Sequence, residues 1–92
     1  MSVIWKFPVF IDDGAIRRDM PKGRKFLSLQ VQGGGAQMWW LVDPDSERES
    51  VLFVIHGTGH SFNAARETYL GTWKEGQFVW HLFEKESRGP RW

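Results

Sequence analysis

Two imidazoles and a hydroxyl bracket a pair of glycines at His56-Gly57-Thr58-Gly59-His60, directly after the apolar, β-branched run Val51-Leu52-Phe53-Val54-Ile55. On a helix, histidines four apart would converge on one metal. Here they fall on a strand end and a turn. The chain has no cysteine, His81 is the only further histidine, and no third ligand is evident, so no metal is expected. The same residues suit an anion better. Gly57 and Gly59 let the main chain approach a phosphate, successive N–H groups can form a concave nest, and Thr58, Ser61 and His60 add side-chain donors. The plainer reading is that the glycines serve only the turn.

A second candidate is the run Arg17-Arg18-Asp19-Met20-Pro21-Lys22-Gly23-Arg24-Lys25, with five basic side chains and one acid around a Pro-Gly turn. Arginine pairs bidentately with phosphate and lysine adds a mobile charge, so Lys22, Arg24 and Lys25 are the expected phosphate contacts. The acids that would neutralise them, Asp43, Asp45, Glu47 and Glu49, lie elsewhere in the sequence. A solvated loop is the bland alternative. Stacking is the third ingredient. Of six tryptophans, most belong to the core, but Trp40 or Trp73 could hold a base, at about 1–3 kcal/mol per base stacked.

Catalytic arrangements are weaker. Asp12-Asp13 with a distant histidine could be written as acid–base machinery, but nothing fixes their geometry. No nucleophile elbow, phosphate-binding P-loop or zinc-protease helix is present. A binding protein with no cofactor is expected, not an enzyme.

The elements that must carry these residues read as short strands. Val3 to Ile11 is apolar and β-rich, with Pro8 placing it at an edge or marking a bend. Asp12-Asp13-Gly14 is a turn, Ala15 to Met20 a short extended piece, and Pro21-Lys22-Gly23 a second turn. Arg24 to Gln32 alternates, which puts Leu27, Leu29 and Val31 on one face. Gly33-Gly34-Gly35 connects to a returning strand, Gln37 to Val42, whose Trp39 and Trp40 point to opposite faces. After a polar loop, Asp43 to Glu47, the strand Ser50 to His56 is apolar on both faces and therefore central or covered. Asn63 to Glu67 offers at most one helical turn. Thr68 to Lys74 and Gln77 to Glu84 form a hairpin around Glu75-Gly76. Six to seven short strands predict an all-β antiparallel sandwich or small barrel, a single domain over residues 1–84 with a charged tail at 85–92.

Ninety-two residues allow one modest core, and a net charge of +1 gives no support for binding long nucleic acid through global charge. No signal peptide and no run of about 20 apolar residues is present, so a cytoplasmic protein without membrane attachment is expected. The last strand is apolar on both faces, with Phe78, Trp80 and Leu82 against Val79, His81 and Phe83. That pattern suggests a homo-oligomer contact through Phe78, Trp80, His81 and Phe83. The alternative is a central strand whose outer face is capped by Asn63–Glu67 or by the tail.

The motifs Ile4-Trp5-Lys6-Phe7-Pro8, Met20-Pro21-Lys22-Gly23, Leu27-Ser28-Leu29-Gln30-Val31-Gln32, Trp40-Leu41-Val42-Asp43-Pro44 and His56-Gly57-Thr58-Gly59-His60 resemble a family of small bacteriophage and prophage proteins. Gly71-Thr72-Trp73 and His81-Leu82-Phe83-Glu84 extend the likeness over nearly the whole chain. The resemblance carries over no catalytic residues. It implies origin: a phage accessory protein acting in the host cytoplasm. By size and composition the chain is then similar to sponges that sequester cyclic or NAD-derived nucleotide immune signals. Sequestration of such a signal is the expected function. The alternative is a protein-binding module that inhibits a host protein or assists phage assembly, and a small phosphodiesterase is the third reading.

Overall fold

The computed structural model describes residues 1–11 and 14–86, so the expected turn at Asp12-Asp13 and most of the expected tail lie outside the described residues. Seven antiparallel strands form two stacked sheets, with no helix among the described residues. One sheet has three strands in the order β1 (Val3–Val9), β4 (Gly35–Val42), β3 (Lys25–Gln32). The other has four, β2 (Ala15–Pro21), β5 (Arg48–Gly57), β7 (Phe78–Lys85), β6 (Glu67–Glu75). The molecule is 18 Å across its thinnest axis. That thickness fits two layers packed about 10 Å apart with side chains between them. The expected fold class is therefore correct, as a sandwich.

Strict alternation builds the core from β4 and β5. Ala36, Met38, Trp40 and Val42 are buried along β4, and Val51, Phe53, Ile55 and Gly57 along β5, while the residues between them are part-exposed. Ile16 and Met20 from β2, Trp73 from β6 and Leu82 from β7 complete the interior. Period-two burial on both middle strands fixes their pairing, because a slip of one residue would turn every apolar side chain outward.

Strand β3 departs from the expected alternation. A bulge lies between Phe26 and Ser28, so Phe26 and Leu29 both pack on the core while Leu27 turns outward; Val31, opposite Ala36, keeps the face of Leu29 but is exposed near the strand end. The extra residue re-phases the strand, and a simple odd–even reading fails there. A second bulge lies between Tyr69 and Gly71 on β6. The two bulged strands meet where the sandwich closes. A Cβ on Gly71 would come within 2.8 Å of Leu29 Cδ2, so only glycine permits this approach.

The Asn63–Glu67 segment forms a turn in place of the helical turn allowed by the sequence. Asn63 Oδ1 accepts from Ala65 N at 2.9 Å, and Glu67 N donates to Ala64 O at 3.1 Å. The asparagine side chain competes with helical backbone bonding. Arg66 closes the turn at φ 67°, and its carbonyl accepts from Glu86 N at 2.7 Å.

Candidate functional site

The sequence-defined site divides into three parts. At the start of β5 the basic turn meets the acids it was expected to lack. Antiparallel pairing sets Pro21 opposite Arg48 and Met20 opposite Glu49. Lys22 Nζ donates to Glu47 Oε1 at 3.2 Å. Arg24 Nη1 donates to Glu49 Oε2 at 2.6 Å and to the Pro21 carbonyl at 3.2 Å, while Nη2 donates to Glu84 Oε2 at 2.9 Å. The guanidinium also lies 5.7 Å from the centroid of the Trp40 ring, a cation–π contact. Arg24 is a clamp joining the turn before β3 to β5 and β7, and its expected role as a free phosphate ligand is corrected. Lys22 is likewise engaged with an acid. A cleft of about 340 Å³ beside the clamp is lined by Glu49, Glu84 and Glu86 against Arg24 and Lys85, which disfavours an anion. Lys25, by contrast, is exposed and sits on the outer face of the three-stranded sheet, opposite Leu41.

Trp40 and Trp73 are core residues, 3% and 5% exposed. Trp40 packs edge-on to Phe26 and tilted on Phe53, and Trp73 donates its indole N–H to Glu75 at 3.2 Å. Neither offers a ring face to a base, so both expected stacking roles are corrected. The basic turn also lies at the opposite end of β5 from the glycine turn. Nine residue steps of about 3.3 Å separate them by about 30 Å, so no single subunit can unite them on a small ligand.

At the other end, the glycine turn sends its side chains to different faces. Thr58 N donates to Val79 O at 3.2 Å and His60 N to Gly57 O at 3.1 Å. With one N–H engaged by β7 and the other inside the turn, the expected anion nest of successive free donors is not available. Gly57 has its own reason. A Cβ there would meet the His60 ring at 2.9 Å and Trp80 Cζ3 at 3.2 Å, so the imidazole and the indole both close over bare backbone. Gly57, Thr58 and His60 line a cleft of about 320 Å³ together with Gln77, Phe78, Val79 and Trp80. Phe78 is 57% exposed and its ring lies 5.9 Å from that of Trp80 at 34°. The Trp80 indole N–H is buried with no hydrogen-bond partner among the described residues. This unit holds a hydroxyl, an imidazole, an amide and two aromatic rings.

His56 points to the outer face of the four-stranded sheet, away from the cleft. Its Nε2 is 2.8 Å from Glu67 Oε1, and the Glu67 side chain is 4% exposed. Phe62 lies over the imidazole at 3.5 Å and 8°, and meets Phe83 edge-on. Phe62 thus covers part of the outer surface of β7, as the capped-strand alternative expected of the adjoining segment. Phe78 and Trp80 belong to the cleft, whereas His81 and Phe83 face outward. The residues expected to form one subunit contact therefore occupy two sides of an interior strand.

His81 is the cross-strand partner of both His56 and Thr72. Its Nε2 is 2.7 Å from Thr58 Oγ1, its Nδ1 is 2.8 Å from Thr72 Oγ1, and the Tyr69 hydroxyl is 2.5 Å from the same Thr72 oxygen. Thr58 Oγ1 also donates to Val79 O at 3.4 Å. One tautomer satisfies every donor. Tyr69 gives to Thr72, Thr72 to His81 Nδ1, His81 Nε2–H to Thr58, and Thr58 to the carbonyl. With Nδ1 protonated and Nε2 free, the Thr58 hydroxyl must turn from the carbonyl to the ring.

Sequence reasoning reached Gly57, Thr58 and His60, but missed Gln77, Phe78 and Trp80 as parts of the cleft. The signal that could have found them is the pairing Gly57↔Trp80, a bare glycine opposite the largest side chain. Among the described residues, no group of three or more His, Asp or Glu side chains could hold a metal ion. No helix of the described residues is long and apolar enough to cross a membrane. Residues 1–92 match the family described as Domain of unknown function (DUF7352). Comparison with curated proteins and with solved structures finds no match to either.

Proposed function

The chain belongs to the DUF7352 family, and on that premise we propose that it holds a small, planar, nucleotide-like molecule in the glycine-turn cleft without transforming it. One observation carries this reading: the exposed Phe78 ring and the partly buried Trp80 beside it line the same 320 Å³ cleft as Thr58, His60 and Gln77. That volume lies at the lower end of small-ligand pockets, about 300–1,000 Å³, and suits a single nucleotide-sized unit. The rings offer a stacking surface. His60 and Gln77 supply hydrogen-bonding groups at the cleft wall.

The resemblance to phage and prophage proteins supports the biological setting. The ligand is then a cyclic or NAD-derived immune signal, removed from the host's cytoplasm by sequestration. The test is native mass spectrometry of the purified chain after exposure to a pool of cyclic and NAD-derived nucleotides. One retained molecule, released intact on denaturation and lost in Phe78→Ala and His60→Ala, is the expected result. Retention of nothing, or retention unaffected by both substitutions, would overturn the reading.

A protein-binding module is the second reading. It is favoured by the apolar residues left exposed on the three-stranded sheet, Ile4 at 60% and Leu27 at 42%. Inhibition of a host protein and a part in phage assembly are its two forms.

A further inference from the structure

The outer face of the three-stranded sheet is arranged in cross-strand rows. Ile4, Leu41 and Lys25 form one, and Lys6, Trp39 and Ser28 the next along the strands. The alternate residues of β4 are buried, so Trp39 and Leu41 look outward, and the bulge turns Leu27 out beside them. Pro8, Gln37 and Gln30 complete a third row. No carboxylate occurs in these rows. Among the described residues Lys25 makes no ion pair, and Lys6 bonds only the Gln32 amide, at 3.0 Å. An aliphatic and indole centre with two unneutralised ammonium groups at its margin is the make-up of an interface core and rim.

We infer that this face docks an acidic, apolar segment of another protein, with aliphatic or aromatic side chains over Ile4, Leu41 and Trp39 and carboxylates at Lys6 and Lys25. The inference rests on the protein-binding reading and is independent of the glycine-turn cleft. Charge selects the occupant. A second copy laid face to face would bring two more lysines and no carboxylate to this face, which disfavours it. The C-terminal stretch beyond the described residues, Ser87 to Trp92, carries two arginines and no acidic side chain, so it does not complement the face either. A nucleic-acid strand would satisfy the lysines but leave Ile4, Leu27 and Leu41 against polar backbone. An anionic membrane calls for protruding apolar groups, whereas Trp39 lies half-buried in the sheet.

Size sets the strength. Three strands about 4.8 Å apart and seven residues long give a face of roughly 15 by 23 Å. That is below the about 800 Å² per partner of a standard interface, so the complex belongs to the weak, transient class.

The experiment selects a random twelve-residue peptide library against the full chain and measures the recovered peptides by fluorescence anisotropy. Peptides combining Asp or Glu with Leu, Ile or Phe are expected, weakened about tenfold by Lys6→Glu with Lys25→Glu, and by Trp39→Ala. The lysine substitutions are on exposed side chains, so they keep the test valid even if Trp39→Ala does not fold. Peptides that bind the double lysine variant as well as the parent would overturn this surface while leaving the protein-binding reading in place. Recovery of no peptide would remove both. A dimer abolished by Leu41→Asp, or binding of oligo-dT or of phosphatidylserine vesicles that the lysine variant loses, would assign the face to those occupants instead.

Discussion

The imidazole of His60 lies so close over Gly57 that a β-carbon on residue 57 would sit 2.9 Å from two of its ring atoms. Trp80 closes the other side at 3.2 Å. Gly57→Ala therefore displaces the mobile imidazole first and presses on the indole second. Overpacking in a rigid core costs about 1–3 kcal/mol, and the ability of His60 to swing away places this change near the lower end. Thermal denaturation should show that modest loss, with a shift in Trp fluorescence and weaker retention of any cleft ligand.

Arg24→Met tests the clamp. The substitution keeps much of the packing on Trp40 but removes hydrogen bonds to two carboxylates and a carbonyl. Glu49 and Glu84 retain partial exposure, so the expected cost is about 2 kcal/mol, the worth of a charged hydrogen bond with solvent relief for the stranded acids. Urea denaturation should register that loss while ligand retention at the far end of β5 stays at the parental level.

The fold was legible where burial follows period two. Strands β4 and β5 alternate without interruption, and their boundaries were readable to within a few residues from Val, Leu, Ile and Trp spacing. Strand β3 was misread because one extra residue at Leu27 reverses the phase, and no composition signal marks a bulge. The candidate site was harder for the same physical reason. Arg24 is 25 residues from Glu49 and 60 from Glu84. Their meeting depends on the order β2-β5-β7-β6, which spacing along the chain does not encode. Gly57, Thr58 and His60 could be read as a turn with donors, yet Trp80 joins them only through the β5–β7 pairing.

His56 and Glu67 should be energetically coupled. Their contact is sheltered by Phe62, so removing either partner leaves a polar group in a poorly hydrated place. A double-mutant cycle with His56→Ala and Glu67→Ala should return a coupling of about 1–2 kcal/mol. A value near zero would mean that Phe62 alone organises this surface.

His81 should be found, when neutral, with its proton on Nε2. That arrangement lets Tyr69, Thr72, His81 and Thr58 each donate once in a single direction. Nitrogen-15 correlation spectra of the imidazole distinguish the two tautomers directly. Thr72→Val removes the donor to Nδ1 and should raise the fraction of the other tautomer, accompanied by a change at the Thr58 amide.

Arg66 holds φ 67° in the turn before β6, a conformation that L side chains adopt at a cost of about 1–2 kcal/mol. Arg66→Gly relieves that strain but gives the unfolded chain more freedom. The balance should be a gain of about 0.5 kcal/mol in stability, read from the denaturation midpoint.

The two sheets leave four strand edges without a hydrogen-bonded neighbour, β3 and β6 packed side by side where the sandwich closes, and each is interrupted. Pro8 breaks β1, Pro21 ends β2, and bulges disturb β3 between Phe26 and Ser28 and β6 between Tyr69 and Gly71. A continuous edge would template further strands from neighbouring molecules, the first step towards fibrils. The proline ring removes a donor from two of these edges, and the bulges twist the other two out of line. The consequence concerns handling at high concentration. An all-strand protein produced in quantity should stay dispersed, and straightening an edge, by Pro8→Thr or by deleting Leu27, should bring on thioflavin-positive aggregation.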